Sequence, residues 1–304
     1  MEKTDTESNM RNILLTIEYD GTGFSGWQRQ PGKRTVQGEL ERVLSILCAQ
    51  EITIDGTGRT DAGVHALGQC ATFSGEFGIP TERLMTAAND LLAKNRMVGG
   101  DVRITSVKEV PSWFHARFSA KGKRYVYRIC CAPGMSVFLR NYMYHVKTPL
   151  DTGAMKRALQ AFEGTHDFAG FMAAGSNLRG STVRTIYRAE LAVLPRLSEH
   201  KIPIISRGCM EASAEGFEGQ ASDGQPCDIE ISLQGDGFLY NMVRIIAGTL
   251  VDVGAGRISA DDMPEIIDSC DRSRAGHTAP PQGLYMAEVY FQENIYGEQS
   301  DRKT

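Results

Sequence analysis

Gly-Thr-Gly-Arg-Thr-Asp-Ala-Gly-Val-His, residues 56–65, places a single acid between glycine-rich turns. Glycine adopts left-handed backbone angles and lets the main chain come close to a ligand. Arg59, two residues before Asp61, can hold a neighbouring carboxylate in its ionised form. The pattern is typical of a nucleophile at Asp61. The alternative is an ordinary loop aspartate that accepts hydrogen bonds from its own backbone.

Periodic apolar residues on both sides of this stretch predict its structural setting. Apolar side chains alternate along 13–19, as in a half-buried strand, and a similar strand is predicted at 67–73. A helix is predicted after Thr35, and another from Pro80 onward. Asp61 is therefore expected in a loop at the edge of a strand.

The rest of the chain mixes further strands and helices. Helices are predicted after Asp151, with Gly164 ending that helix, from 242 to 254 and after Ser259. Further strands are predicted at 101–110, 123–130, 184–194, 228–233 and 284–291. These elements predict an α+β fold of two α/β halves with mixed, mainly antiparallel sheets flanked by helices.

The expected halves are an N-terminal half at 1–147, which carries the Asp61 loop, and a C-terminal half at 148–304. Residues 196–226 are rich in Ser, Gly, Glu and Gln and show weak periodicity. This composition predicts a partly disordered surface insertion in the second half.

Composition narrows the class of protein. The chain has 304 residues, a net charge of -4, a polar start and no apolar run long enough to cross a bilayer, which favours a soluble, cytoplasmic protein. Its seven cysteines have no C-x-x-C spacing and its six histidines are scattered, so we expect reduced, mostly buried thiols and no metal site. The net charge argues against indiscriminate nucleic-acid binding.

Two local motifs have alternative interpretations. Residues 121–128 interleave cations with tyrosines. This pattern is typical of a strand whose cations neutralise phosphates and whose tyrosines stack on an unpaired base. The alternative is an ordinary strand whose tyrosines lie in the core.

Arg244 lies on an otherwise apolar helix. If it is buried, it needs a partner such as a carboxylate in a cleft. The alternative is an arginine on the exposed flank of the helix.

A third motif, Gly21-x-Gly23-x-x-Gly26, resembles a dinucleotide-binding fingerprint. Residues 27–34 separate it from the next helical pattern, whereas a true fingerprint opens a helix whose N-terminus holds the pyrophosphate. No nucleotide cofactor is expected.

Six motifs in order make the chain similar to the TruA family of tRNA pseudouridine synthases. They are YDGTGFSGWQRQ at 19–30, GRTDAGVH at 58–65, FHARFSA at 114–120, KRYVY at 123–127, NMVR at 241–244 and GLYM at 283–286. The insertion at 196–226 is longer than that family usually has. The resemblance implies the pseudouridine synthase fold with a central cleft, and isomerisation of uridine in tRNA, typically at positions 38 to 40 of the anticodon stem-loop. It also implies a homodimer that needs no cofactor.

The resemblance assigns roles to individual residues. Asp61 would attack ribose carbon 1', with deprotonation of carbon 2' as the competing mechanism. Arg59 would help to extrude the target base, and Tyr125 would stack on uracil and serve as the base at carbon 5. Arg244 would pair with Asp61, and Leu284 would pack beneath the uracil. The cations expected to contact tRNA phosphates are Arg29, Lys33, Arg34, Lys123, Arg124 and their neighbours within 117–128.

Two rival functions follow from the same residues. A glycosidase that acts on nucleosides also attacks carbon 1' with a carboxylate, but it normally needs a second carboxylate as general acid. Apart from Asp61, the only acids in the quoted motifs or at their edges are Asp20 and Asp236. A non-catalytic RNA-binding module would explain Tyr125 and the basic strand, but it leaves Arg59, Asp61 and Arg244 without a purpose.

Overall fold

The computed structural model describes residues 10–94, 100–175, 180–195 and 226–292, which form two compact units. The first unit contains the described residues up to Ala120 together with Phe291 and Gln292, and the second contains the described residues from Lys121 to Tyr290. The insertion at 196–226 lies outside the described residues apart from Pro226.

The first unit is built on an antiparallel sheet with β1 at its centre, between β3 and β4. The short strand β2 pairs with β3. The strands are β1 Arg11–Tyr19, β2 Asp55–Gly56, β3 His65–Gly75 and β4 Val102–Glu109. The helices are α1 Val36–Cys48, α2 Thr81–Ala93 and the short α3 Ala116–Ser119.

Local sequence explains most of these elements. Ile13, Leu15 and Ile17 alternate along β1 and are fully buried, as a central strand requires. The Thr35 side chain caps α1 by accepting a hydrogen bond from the Gly38 amide at 3.3 Å. The predicted strand at 13–19 and the helix after Thr35 are confirmed. The strand β2 and the helix α3, each four residues or shorter, were not predicted.

The second unit is built on a sheet with the strand order β10-β5-β9-β8-β7. The pairs β5–β9, β9–β8 and β8–β7 are antiparallel, whereas β6 pairs with β5 in parallel. The strands are β5 Ala120–Cys131, β6 Tyr144–Val146, β7 Gly164–Asp167, β8 Val183–Pro195, β9 Cys227–Gly235 and β10 Leu284–Phe291. The expected mixed, mainly antiparallel α+β architecture is confirmed.

The helices of this unit are α4 Thr152–Gln160, α5 Met242–Gly254 and α6 Met263–Asp268. Asp151 caps α4 as expected, with its carboxylate accepting from the Ala154 amide at 2.8 Å. The expected end of α4 at Gly164 is wrong, because the helix stops at Gln160. Gly164 has a φ of +108° and begins β7 instead.

The division between the units falls after Ala120, upstream of the expected boundary at 147/148. The strand β5 explains this position, because residues 123–131 pair in register with β9 over its whole length. The basic strand is therefore held by hydrogen bonds to residues about a hundred positions later in the chain, which local patterns do not reveal.

Candidate active site

Asp61 lies in the loop between β2 and β3, at the edge of the first unit's sheet. Its side chain is partly buried, and its carbonyl oxygen accepts a hydrogen bond from the Val64 amide at 3.2 Å, which closes a tight turn. Gly63 within this turn has a φ of +80°, where glycine is strongly favoured. The expected position of Asp61 in a loop at a strand edge is therefore confirmed.

The backbone of this loop is held from one side by the segment around Gly26. Gly26 has a φ of +90°, and a Cβ atom built on it would lie 2.7 Å from the Thr60 carbonyl oxygen. The same oxygen accepts a hydrogen bond from the Trp27 amide at 3.0 Å, and the Thr60 hydroxyl lies 2.7 Å from the Tyr19 hydroxyl. Burial raises the pKa of Tyr19 above its usual value.

A buried amide side chain holds the loop from the other side. Gln69 on β3 accepts a hydrogen bond from the Thr57 hydroxyl at 2.5 Å and donates to the Gly58 carbonyl at 3.0 Å. Gln69 is fully buried. Neither Gln69 nor Thr60 was singled out from the sequence, although a Gln inside a predicted apolar strand is a signal that its amide has partners.

His65, the last residue of the GRTDAGVH motif, connects the loop to the turn that follows β1. Its Nδ1 atom accepts a hydrogen bond from the Gly21 amide at 3.0 Å and lies 3.3 Å from a carboxylate oxygen of Asp20. An Nδ1 atom that accepts a hydrogen bond leaves Nε2 as the donor atom of the ring. The buried ring serves to position the Asp61 turn.

Arg59 lies on the exposed side of the same loop. Its Nε atom donates to the Gln28 side-chain oxygen at 3.0 Å. Within the first unit, a partly buried carboxylate on a rigid turn thus lies two residues from an exposed guanidinium. This arrangement suits a nucleophile or base that acts on a ligand carrying phosphate groups.

Tyr125 lies on β5 in the second unit and is buried. Its ring packs edge to face against Phe238, with the centroids 5.1 Å apart. Tyr127, two residues later, donates from its hydroxyl to the Pro280 carbonyl at 2.7 Å, and burial raises its pKa. Both rings are thus fixed by packing or hydrogen bonding.

Arg244 lies in the first turn of α5 and is partly buried. Its Nε atom donates to the Ala279 carbonyl at 2.8 Å, and Nη1 donates to the Asn241 side-chain oxygen at 2.7 Å. Ala279 in turn donates its amide to the Arg244 carbonyl at 3.0 Å. These bonds aim the guanidinium in a fixed direction, so Arg244 is not an exposed, unconstrained surface arginine.

Leu284 begins β10 and is buried. The preceding Gly283 lies against β5, since a Cβ atom there would be 2.8 Å from the Tyr127 ring and 2.8 Å from the Arg128 carbonyl oxygen. The GLYM motif therefore needs glycine for a close approach between strands, and it places Leu284 beside this contact.

Three of the named cations expected to bind phosphates have carboxylate partners, namely Arg29, Arg34 and Arg124. Arg34 forms a bidentate pair with Asp101 at 2.7 and 2.9 Å and also contacts Glu39 at 3.1 Å. The hydrogen bond to Asp101 raises the pKa of Arg34. Arg124 lies 3.5 Å from Glu288 on β10. These residues therefore have structural contacts that the sequence did not indicate.

The expected phosphate contacts differ in exposure. Arg29 is largely exposed, although its Nη1 atom lies 3.3 Å from a Glu41 oxygen. Lys33 is exposed and Lys123 is partly buried. Arg128, a neighbouring cation of the basic strand, keeps 11% of its side chain exposed and lies 3.1 Å from Glu230. Arg29 and Lys33 are thus the most accessible of the named cations.

The two carboxylates that a glycosidase could use as its second acid accept hydrogen bonds from backbone amides, Asp20 in its own turn and Asp236 from β8. Asp20 accepts from the Thr22 amide at 2.9 Å and the Thr22 hydroxyl at 2.6 Å. Asp236 accepts from the Thr185 amide at 3.0 Å. Both carboxylates therefore already make structural hydrogen bonds within the fold.

Two absences concern the part of the chain that the structure describes. No group of three or more His, Cys, Asp or Glu side chains there could hold a metal ion. None of the helices there is long and apolar enough to cross a bilayer. The six described cysteines are free thiols, and five of them are buried, as expected.

Comparisons with known proteins give one family. A family profile described as tRNA pseudouridine synthase matches residues 15–119 and 158–292. The tRNA pseudouridine synthase A of Acetivibrio thermocellus is 44% identical over 282 residues, which covers 93% of this chain and 100% of that protein. The proteins of the same name from Caldicellulosiruptor bescii and a Geobacillus species are 42% and 43% identical over 282 residues, covering 93% and 92% of this chain and 100% and 98% of theirs.

Proposed function

Because this chain belongs to the tRNA pseudouridine synthase family, we propose that it converts uridine to pseudouridine at positions 38 to 40 of the tRNA anticodon stem-loop, with Asp61 as the nucleophile. The reaction type, an isomerisation within tRNA, is that of the family. The sites on the tRNA and the roles of individual residues are the proposal.

The isomerisation exchanges one bond of the ribose for another. Asp61 attacks carbon 1' of the ribose, and the bond from carbon 1' to uracil nitrogen 1 breaks with its electrons on the uracil. The uracil turns, its carbon 5 bonds to carbon 1', and the carboxylate leaves. Removal of the carbon 5 proton and protonation of nitrogen 1 complete a reaction that balances without a redox agent. Deprotonation of carbon 2' by Asp61 remains the competing mechanism.

The observation that supports Asp61 most is the rigidity of its turn. Gly26 and Gln69 hold the adjacent backbone from two sides, and Asp61 itself is partly buried. A nucleophile must be held near its productive geometry, because small displacements reduce the rate strongly. A loop aspartate that only satisfies its own turn would not need this support.

We assign the remaining residues to the same uridine. Arg59 helps to extrude the base, Tyr125 stacks on the uracil and removes the carbon 5 proton, and Leu284 packs beneath the ring. The exposed Arg59 and the fixed, buried Tyr125 are compatible with these roles. The pairing of Arg244 with Asp61 stays a prediction, which the coupling energy of an Arg244→Ala, Asp61→Asn double-mutant cycle tests.

Tritium release from tRNA labelled at uracil carbon 5 tests the proposal directly. Asp61→Asn should lower the rate on the order of 10⁴-fold or more, as for loss of a nucleophile, while tRNA binding is retained. Asp20→Asn and Asp236→Asn are the matched controls, and both should release tritium at rates close to the unmodified protein. A loss in either control equal to that of Asp61→Asn would show that a second carboxylate takes part, and release of free uracil without release of tritium would favour the two-carboxylate glycosidase mechanism instead.

Mapping of the modified nucleotides tests the choice of site. Pseudouridine should form only within positions 38 to 40, and modification elsewhere would refute this part of the proposal.

We also propose a homodimer located in the cytoplasm, on the basis of the family resemblance alone. Sedimentation equilibrium should give twice the chain mass of 33.4 kDa.

A further inference from the structure

Residues 111–119, Pro-Ser-Trp-Phe-His-Ala-Arg-Phe-Ser, form a short segment of the first unit with two unusually exposed aromatic side chains. Trp113 is 75% exposed and Phe118 is 76% exposed, the highest values among the large hydrophobic side chains in the described ranges. The catalytic roles proposed above do not use either ring. Exposed aromatic groups close together in sequence commonly mark a binding surface.

The backbone of the 111–119 segment is held in place. The buried Asn12 side chain donates to the carbonyl oxygens of Pro111 and Phe114, both at 2.8 Å. The Ala116 amide donates to the Thr72 hydroxyl at 3.1 Å. The exposed rings are therefore presented by an ordered backbone, which lowers the entropy lost when a ligand binds.

Cationic and polar groups accompany the aromatic rings. The Arg117 guanidinium lies 5.9 Å from the Phe118 ring centroid, and the His115 ring lies 4.5 Å from it. The segment contains no acid; the carboxylate that faces it is Asp55, 3.5 Å from His115 Nε2. An exposed aromatic face beside a cation matches a nucleotide, which has an aromatic base and a negative phosphate.

We propose that the 111–119 segment binds an unpaired nucleotide of the tRNA other than the target uridine. Trp113 and Phe118 stack on bases, and Arg117 neutralises an adjacent phosphate. The proposal rests on the proposed function only in taking tRNA as the ligand. Tryptophan, phenylalanine and arginine also occur at protein–protein interfaces. The segment carries a cation and no acid, which favours an anionic ligand such as a nucleotide over a second copy of this acidic chain.

Binding and kinetics of Trp113→Ala, Phe118→Ala and the double variant test the proposal. Loss of one stacked base should raise the Kd for tRNA about five- to hundredfold at fixed salt. KM should rise similarly, while kcat at saturating tRNA stays close to that of the unmodified protein. Trp113→Phe should keep most of the affinity, because a phenylalanine ring still stacks. Phe138→Ala, an equally accessible aromatic of the second unit at 66% exposure, is the matched control and should bind normally.

Intrinsic fluorescence gives an independent measurement. The chain has two tryptophans, and Trp27 is only 2% exposed, so acrylamide-accessible emission comes from Trp113. Added tRNA should protect this emission from acrylamide, and Trp113→Phe should abolish the effect.

Three results would overturn the inference. The first is a double variant that binds tRNA within twofold of the unmodified protein, and the second is an equal loss of affinity in Phe138→Ala. The third is a change of sedimentation in the double variant with unchanged tRNA affinity, which would make the segment an interface between copies. Tritium release by the unmodified protein separates failure of the 111–119 binding site from failure of the proposed function. If the unmodified protein releases tritium and the double variant binds tRNA normally, only the proposed binding site at 111–119 is refuted.

Discussion

Replacement of Gly26 by alanine should disturb the Asp61 turn more than it disturbs the rest of the protein. The nearest atoms to the added Cβ are all in residues 60–62: it would lie 2.7 Å from the Thr60 carbonyl oxygen and 3.3 Å from the backbones of Asp61 and Ala62. Real Cβ atoms essentially never approach another atom within 3.0 Å, so the turn must move. The positive φ adds a cost of about 1–2 kcal/mol for alanine, and overpacking adds about 1–3 kcal/mol.

Gly32→Ala is the matched control for this substitution. Gly32 also has a positive φ, of +68°, but an added Cβ there meets nothing within 4 Å. Urea unfolding should show a loss of about 1–2 kcal/mol for Gly32→Ala and a larger loss for Gly26→Ala. In the tritium-release assay, only Gly26→Ala should lower kcat/KM, by a factor of about ten or more. This loss corresponds to an increase of about 1.4 kcal/mol or more in the activation barrier. A folded Gly26→Ala protein with kcat/KM within twofold of Gly32→Ala would refute the reasoning.

Three further predictions concern stability. Arg128→Ala should reduce the free energy of unfolding by about 3–5 kcal/mol, because it leaves the buried Glu230 unpaired. If urea unfolding shows a reduction below about 1 kcal/mol, the ion pair is well solvated and the reasoning is wrong. Burial raises the pKa of Asp252, but hydrogen bonds, the first from Arg257, outweigh burial and leave the pKa below its usual value. The Asp252 carboxylate therefore stabilises the fold above about pH 4, and this stability is lost as the pH falls through the folded pKa. Arg257→Ala should lower Tm at pH 7, and the difference from the unmodified protein should shrink at pH 3; a constant difference would contradict the assignment. Thr35→Ala should cost about 1 kcal/mol through loss of the α1 cap, and an unchanged urea midpoint would rule the cap out as a stabilising contact.

Elements defined by local chemistry were predictable from the sequence. The helix after Thr35, the cap at Asp151 and the alternation along β1 depend on neighbours a few residues apart, so pattern alone identified them. The end of α4 was less predictable, because Gly164 suits either a helix stop or the start of a strand. Pairing of β7 with β8 determined that it begins a strand.

The partners of the charged residues could not be read from the sequence. Arg34 pairs with Asp101, and Arg124 with Glu288, across long separations in the chain. The sequence around a basic residue does not show whether its side chain faces water or pairs with a carboxylate that is distant in the chain. Expectations about phosphate contacts were therefore the least constrained part of the site.

The sequence by itself determined the family, the α+β class and the loop position of Asp61, because motifs, periodicity and turn residues act between near neighbours. Only the tertiary structure decided where the units divide, which cations have carboxylate partners and how Gly26 and Gln69 hold the Asp61 turn. The reason is physical: strand pairing and burial bring together residues that are far apart in the chain, and their contacts depend on the whole fold.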